Sequence, residues 1–108
     1  MRRLAGLAAA ALLFTGCGGV EKATQQGTRQ AAIVAARAAY AKARADGTDM
    51  RKGPCIADRL LPDWVADVAH DPRRPVDDRA ANQCPSYRSG KAHHFVELDP
   101  DGNLIRAQ

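Results

Sequence analysis

Three histidines, His70, His93 and His94, have the widest chemical range in this chain, because an imidazole can ligate a metal or carry a proton near neutral pH. A zinc centre needs three or four such donors converging as a tetrahedron. Adjacent His93 and His94 point to opposite faces of a strand, so at most one can join His70 unless the strand is bulged. The spacing predicts no metal site, and a metal- or ligand-binding accessory role through His70, His93 and His94 is the alternative reading. Asp99, Asp101 and Asn103 have the oxygen spacing that opens a calcium loop, but the sixth position is Leu104 where that loop needs glycine. A hairpin turn explains the same residues. Ser86, Ser89 and Thr48 lie in polar stretches with no base placed by the local sequence, so no nucleophile is identified. No cofactor and no enzymatic activity are expected.

The start of the chain carries a different kind of signal. Arg2 and Arg3 precede an apolar run from Leu4 to Phe14 that ends in Thr15-Gly16-Cys17, giving the basic start, short apolar middle and small residues of an export signal. Eleven residues at about 1.5 Å each fall well short of the roughly 30 Å of bilayer hydrocarbon, so the run is no transmembrane anchor. With its cysteine after Thr15-Gly16, this segment resembles bacterial lipoprotein precursors. The resemblance covers the address alone, and Phe14 stands where such boxes usually carry leucine. It implies cleavage after residue 16, a diacylated Cys17 as the first mature residue, and a protein held on the outer side of a membrane. Two acyl chains suffice for stable anchoring where one gives marginal binding.

Loss of residues 1–16 removes Arg2 and Arg3, so the formal charge falls from +4 to +2 over the remaining 92 residues. Nucleic-acid binding then loses its compositional support. A chain of that length makes one small domain at most, near the size where a core is marginal without a staple. Cys55 and Cys84 are the cysteines that remain, and export delivers them to an oxidising compartment. They are too far apart for a redox C-x-x-C pair, so a structural disulfide is expected.

Residues 17–26 are small or polar and suit a tether, leaving 27–108 as the domain. Thr28 to Ala45 is an alanine-rich helix that stops at Asp46-Gly47. Lys22, Arg29, Arg37 and Arg44 fall within an arc of about 80 degrees that also holds Ile33 and Tyr40. The arc reads either as a basic, membrane-facing stripe or, the preferred reading, as arginine stems along a core-facing one. Ile56 to Leu61 is a short apolar patch, and Trp64 to His70 is read as a strand rather than a helical turn because it is short and bounded by prolines. Residues 71–92 are read as a loop pinned by Cys84. His93 to Leu98 and Asn103 to Ala107 form a hairpin about Asp99-Pro100-Asp101-Gly102. The expected fold is α+β: one N-terminal helix on a small antiparallel sheet of about three strands, stapled by a disulfide.

That hairpin has apolar residues on both faces, with Val96, Leu98 and Leu104 on one and Phe95 and Ile105 on the other. One helix covers one face, so the disulfide loop or a partner must cover the second. The charged loop around Arg73, Arg74 and Arg79 is a solvated connection on the plainest reading and the rim of a contact surface on the other. The reading is a small lipid-anchored extracytoplasmic module that binds an envelope protein or polymer, or a second copy of itself, with Phe95, Ile105 and the three arginines as interaction residues. A small exported inhibitor fits by size and fold class alone.

Overall fold

The computed structural model describes residues 17–108. Helix α1 spans Cys17–Ala45. Residues 17–26, expected as a tether, continue this helix; Glu21, Lys22, Ala23, Gln25 and Gln26 are good helix formers, and Gly18, Gly19 and Gly27 are carried within it. The signal segment 1–16 lies outside the described residues, as do all side chains before Thr24. The helix closes with a Schellman motif at Gly47 (φ 86°), where Thr48 N–H donates to Ala43 O at 3.0 Å and Gly47 N–H to Arg44 O at 3.1 Å. Among the described residues no helix is long and apolar enough to cross a membrane.

Four strands follow: β1 (Cys55–Leu61), β2 (Trp64–Val68), β3 (His94–Leu98) and β4 (Leu104–Ala107), in the spatial order β1-β2-β3-β4. The fold is α+β, one long helix on one mixed sheet with a Cys55–Cys84 disulfide. The expected sheet of about three antiparallel strands is corrected in two respects. The patch at Ile56–Leu61 is strand β1, and β2 pairs with β3 in parallel, with Trp64 opposite His94 and Val68 opposite Leu98. Parallel neighbours require a crossover. Residues 69–93 supply it, and the expected loop is organised into two short 3-10 turns and the single helical turn α2 (Pro85–Arg88).

Alternation along the strands sorts the core onto two faces. Trp64, Ala66, Val68, Val96, Leu98 and Ala107 pack under Ala32, Ile33, Ala36 and Tyr40 of α1, with Met50 closing the layer. Ile33 and Tyr40 are therefore core residues and not membrane anchors, which favours the core-facing reading of the helix stripe. Two long side chains tie α1 to the hairpin. Arg29 Nε donates to Ala107 O at 2.9 Å, and the Tyr40 hydroxyl donates to Pro100 O at 2.6 Å. Gly102 (φ 92°) lets the turn approach Tyr40, since a Cβ there would lie 2.8 Å from the ring.

On the far face, Val65, Cys84 and Ala92 form a second buried cluster joined by Cys55 and Phe95. The disulfide, with a sequence separation of 29, fastens the crossover to the start of β1. Closing a loop of this length stabilises the fold by about 3 to 4 kcal/mol in the chain-entropy model. Replacing both Cys55 and Cys84 with Ser is expected to lower the melting temperature by well over 10 °C, measured by thermal unfolding. Two titratable thiols in the native folded protein would contradict the bridge.

Candidate functional site

The histidines do not form a centre. His94 pairs with Trp64, and His70 lies six residues further along the parallel neighbour, about 20 Å away at the opposite end of the sheet. His70 is buried, with its N–H and Nδ1 each 2.9 Å from the Asp77 carboxylate, which also accepts the Arg74 N–H at 2.9 Å. Burial opposes ionisation of Asp77, yet these hydrogen bonds hold its carboxyl below the usual range. Asp77 is the anchor of the crossover's first turn, and Gly53 is needed beside it because a Cβ there would lie 2.4 Å from Asp77 Oδ1.

At the other end, the expectation that His93 and His94 point apart meets an exception at the strand edge. Both reach one carboxylate, His93 Nδ1 at 2.6 Å and His94 Nε2 at 3.5 Å from the Asp63 oxygens, and His94 also stacks on Trp64. Asp63 occupies the left-handed position (φ 70°) of the β1–β2 turn, and the hydrogen bond from the His93 side chain leads the effects that lower its pKa. Asp99, Asp101 and Asn103 form the hairpin turn: Asp99 Oδ1 accepts the Asp101 and Asn103 N–H groups at 2.9 and 2.8 Å. Among the described residues, one cluster gathers possible metal donors, Cys55, Asp58 and Cys84. Its sulfurs are joined to each other, and Asp58 accepts from Ser86 N–H and Oγ at 2.8 and 2.6 Å.

The far face of the sheet is different, because charged groups lie on it inside a recess. A groove of about 530 Å³ runs between the sheet and the crossover, lined among others by Asp67, Glu97 and Arg106 from three strands, Arg73 from the crossover, and Tyr87 and Arg88 from α2. Register builds the row: Asp67 lies opposite Glu97, and Glu97 opposite Arg106. The second pairing depends on an irregularity in β4. Leu104 faces Leu98 while Arg106 faces Glu97, so Ile105 is the extra residue of a bulge.

Glu97 is 4% exposed and saturated. Arg73 Nη1 donates to its Oε2 at 2.8 Å and Arg106 Nε to its Oε1 at 3.3 Å. Arg73 also holds Asp78 Oδ1 at 2.9 Å and the Asp77 carbonyl at 3.3 Å. Asp67, next in the row, has no such support: its Oδ1 is buried and without a hydrogen-bond partner. Burial first, and then the negative charge of Glu97, push its carboxyl up to about 7, against the opposing pull of Arg73 and Arg106. A hollow of similar volume, about 540 Å³, lies beside the β1–β2 turn, but its carboxylates, Asp58 and Asp63, are already engaged by Ser86 and His93.

The residues singled out from sequence are distributed as follows. Arg73 and Phe95 meet in the groove, while Arg74 and Arg79 are exposed outside it. Arg73 is not a free surface cation, since it is committed to Glu97 and Asp78. Phe95 is not left bare: Tyr87 packs edge-on against it at 5.2 Å and the Arg106 guanidinium sits 5.9 Å from its centroid. Ile105 is half-buried at the bulge rather than beside Phe95. Cys17 is the first residue of α1. Sequence reasoning missed Asp67, Glu97, Arg106, Tyr87 and Arg88. An i, i+2 pattern placing Asp67 outward of Ala66 and Val68 was the available signal for the first.

No family model matches the chain, and neither a curated protein nor a solved structure matches it.

Two outcomes follow from the charged row. Arg73→Ala is expected to destabilise by about 1 to 3 kcal/mol, because it strips one partner from a buried carboxylate, while Arg74→Ala and Arg79→Ala stay within about 0.5 kcal/mol; chemical denaturation of the three variants separates them. Asp67 has a folded-state pKa raised above its unfolded value, so its contribution is complete at low pH and declines as pH rises from about 4 toward 7. Asp67→Asn removes that decline. Its stability should exceed that of the parent at pH 8 and lose the advantage near pH 4, and an equal difference at both values would refute the assignment.

Proposed function

We propose that this chain is a small module, lipid-anchored at Cys17 on the outer side of a membrane, that acts by binding an envelope protein or polymer. The observation that carries the binding role is the groove on the far face of the sheet. It combines a recess of small-molecule size, an aromatic pair and charged side chains that the fold leaves within reach. Binding is favoured over catalysis by the state of its two carboxyls. Burial and the neighbouring Glu97 weaken Asp67 as an acid, and two carboxyls this close are what acid and base pairs use. Glu97, however, is buried with both oxygens held by arginines, so it is not free to attack a substrate or activate water.

The anchor rests on the lipobox-like Thr15-Gly16-Cys17 behind its apolar run. Helix α1 suits it geometrically. Twelve positions separate Cys17 from Arg29, the helix residue that bonds to the end of β4, which at about 1.5 Å each gives a spacer of about 18 Å. Thr24 to Thr28 are exposed along it. The histidine alternative has less support, because His70 is taken up by Asp77, and His93 and His94 by Asp63.

The test combines anchor and groove in cells. Full-length protein is expected in the detergent phase and Cys17→Ser in the aqueous phase; equal membrane retention of the Ser variant would overturn the anchor. A photocrosslinker at position 88, on the groove, should capture an envelope component that one at position 34, on the helix, does not. Equal capture from both positions would remove the groove from the account.

A further inference from the structure

The groove's ligand chemistry can be narrowed, on the premise of the binding reading above, by asking what its walls reject. Arg73, Arg88 and Arg106 surround it; Arg73 is paired with both Glu97 and Asp78 and Arg106 with Glu97, while Arg88 has no carboxylate partner among the described residues. A cationic ligand would enter against three guanidinium groups. Asp67 and Glu97 stand opposite each other on the groove wall, so an anionic ligand would come to rest beside two carboxyl groups.

An uncharged ligand meets neither penalty. It must still offer hydrogen-bond donors and acceptors together, because a carboxyl at Asp67 and a guanidinium at Arg88 stand in the same recess and need opposite partners. It must also present an apolar surface. Tyr87 is one of two large hydrophobic residues strongly exposed among those described, at 45%, and it stands at the groove edge-on to Phe95. Many hydroxyls, no charge and a C–H face describe a sugar ring. At about 530 Å³ the recess suits a short stretch of one rather than a protein surface.

We propose that the groove binds a neutral segment of a sugar chain, with Tyr87 against the C–H face of a ring and Asp67 and Arg88 sharing its hydroxyls. Arg73 and Glu97 are positioning residues: they hold the crossover over the sheet and so set the width of the groove.

The test uses full-length protein in detergent micelles, titrated with uncharged tetramers of N-acetylglucosamine and of glucose, and with tetralysine and tetraglutamate as charged probes. Calorimetry gives affinity, and amide chemical shifts give location. Saturable binding of at least one sugar tetramer is expected, with shifts on β2, β3 and α2 and little change between 0.05 and 0.5 M salt. Tyr87→Ala should weaken it at least tenfold. Arg88→Ala, a substitution of an exposed and unpaired side chain that the fold does not need, should weaken it several-fold, and Val34→Ala on the helix should leave it unchanged. Binding of neither sugar, binding of a charged peptide in preference, shifts confined to α1, or unchanged affinity in Arg88→Ala would each overturn the proposal. If neither sugar binds while the crosslinker at position 88 still captures an envelope protein, the sugar chemistry fails and the binding reading stands; if both fail, the groove is not a site.

Discussion

Two strands that lie side by side in the same direction cannot be joined by a tight turn, and the parallel pairing of β2 with β3 therefore sends residues 69–93 around the outside of the sheet. The near face is already taken by α1, so the crossover must pass over the far face. Much of what distinguishes this small domain follows from that route. The disulfide fastens the middle of the crossover to β1, Asp77 braces its first turn through His70, and Arg73 reaches from it into the sheet to meet Glu97. A simple meander would have left the far face open to water. Here it becomes the floor of a groove with a roof of short turns.

The residues explain unequally how much of this could be read in advance. The end of α1 was legible because Asp46-Gly47 is local chemistry, and the hairpin because Asp99-Pro100-Asp101-Gly102 has one economical conformation. The pairing of Cys55 with Cys84 needed arithmetic and no geometry. Strand direction was not legible. Alternation with a period of two assigns Trp64, Ala66 and Val68 to a face but says nothing of which way a neighbour runs. The bulge at Ile105 was hidden too, yet a clue was present: with an unbroken register Arg106 would oppose Val96, under the helix, where a guanidinium has no partner. Moving one residue brings Ala107 there instead and gives Arg106 to Glu97. The groove could not be found without that step, since its row of charges comes from three strands and a crossover.

The charged row also shows why Asp67 and Glu97 differ despite lying opposite each other. Both are carboxylates on the same face at adjacent strands. Glu97 collects two guanidinium groups, one on each oxygen, and these leave no third donor within hydrogen-bond reach of Asp67 Oδ1. An unpartnered buried oxygen costs about 1 to 3 kcal/mol, and a protonated carboxyl is the cheaper form in such surroundings. Nothing in the packing demands an acid at this position, for Val65 and Phe95 show that the same face accepts apolar residues two places earlier. The acid at this position lowers stability at neutral pH without a packing role.

The two faces of the sheet are covered by different elements. Arg29 and Tyr40 clamp α1 along the near face, so the helix cannot roll around the sheet to cover the groove. The whole thickness of the sheet therefore lies between the helix and the groove. The exposed basic residues Arg37 and Arg44 lie on the helix in the arc of Ile33 and Tyr40, which faces the sheet. In a domain this small, the near face is given over to the helix and the far face keeps a recess beneath the crossover.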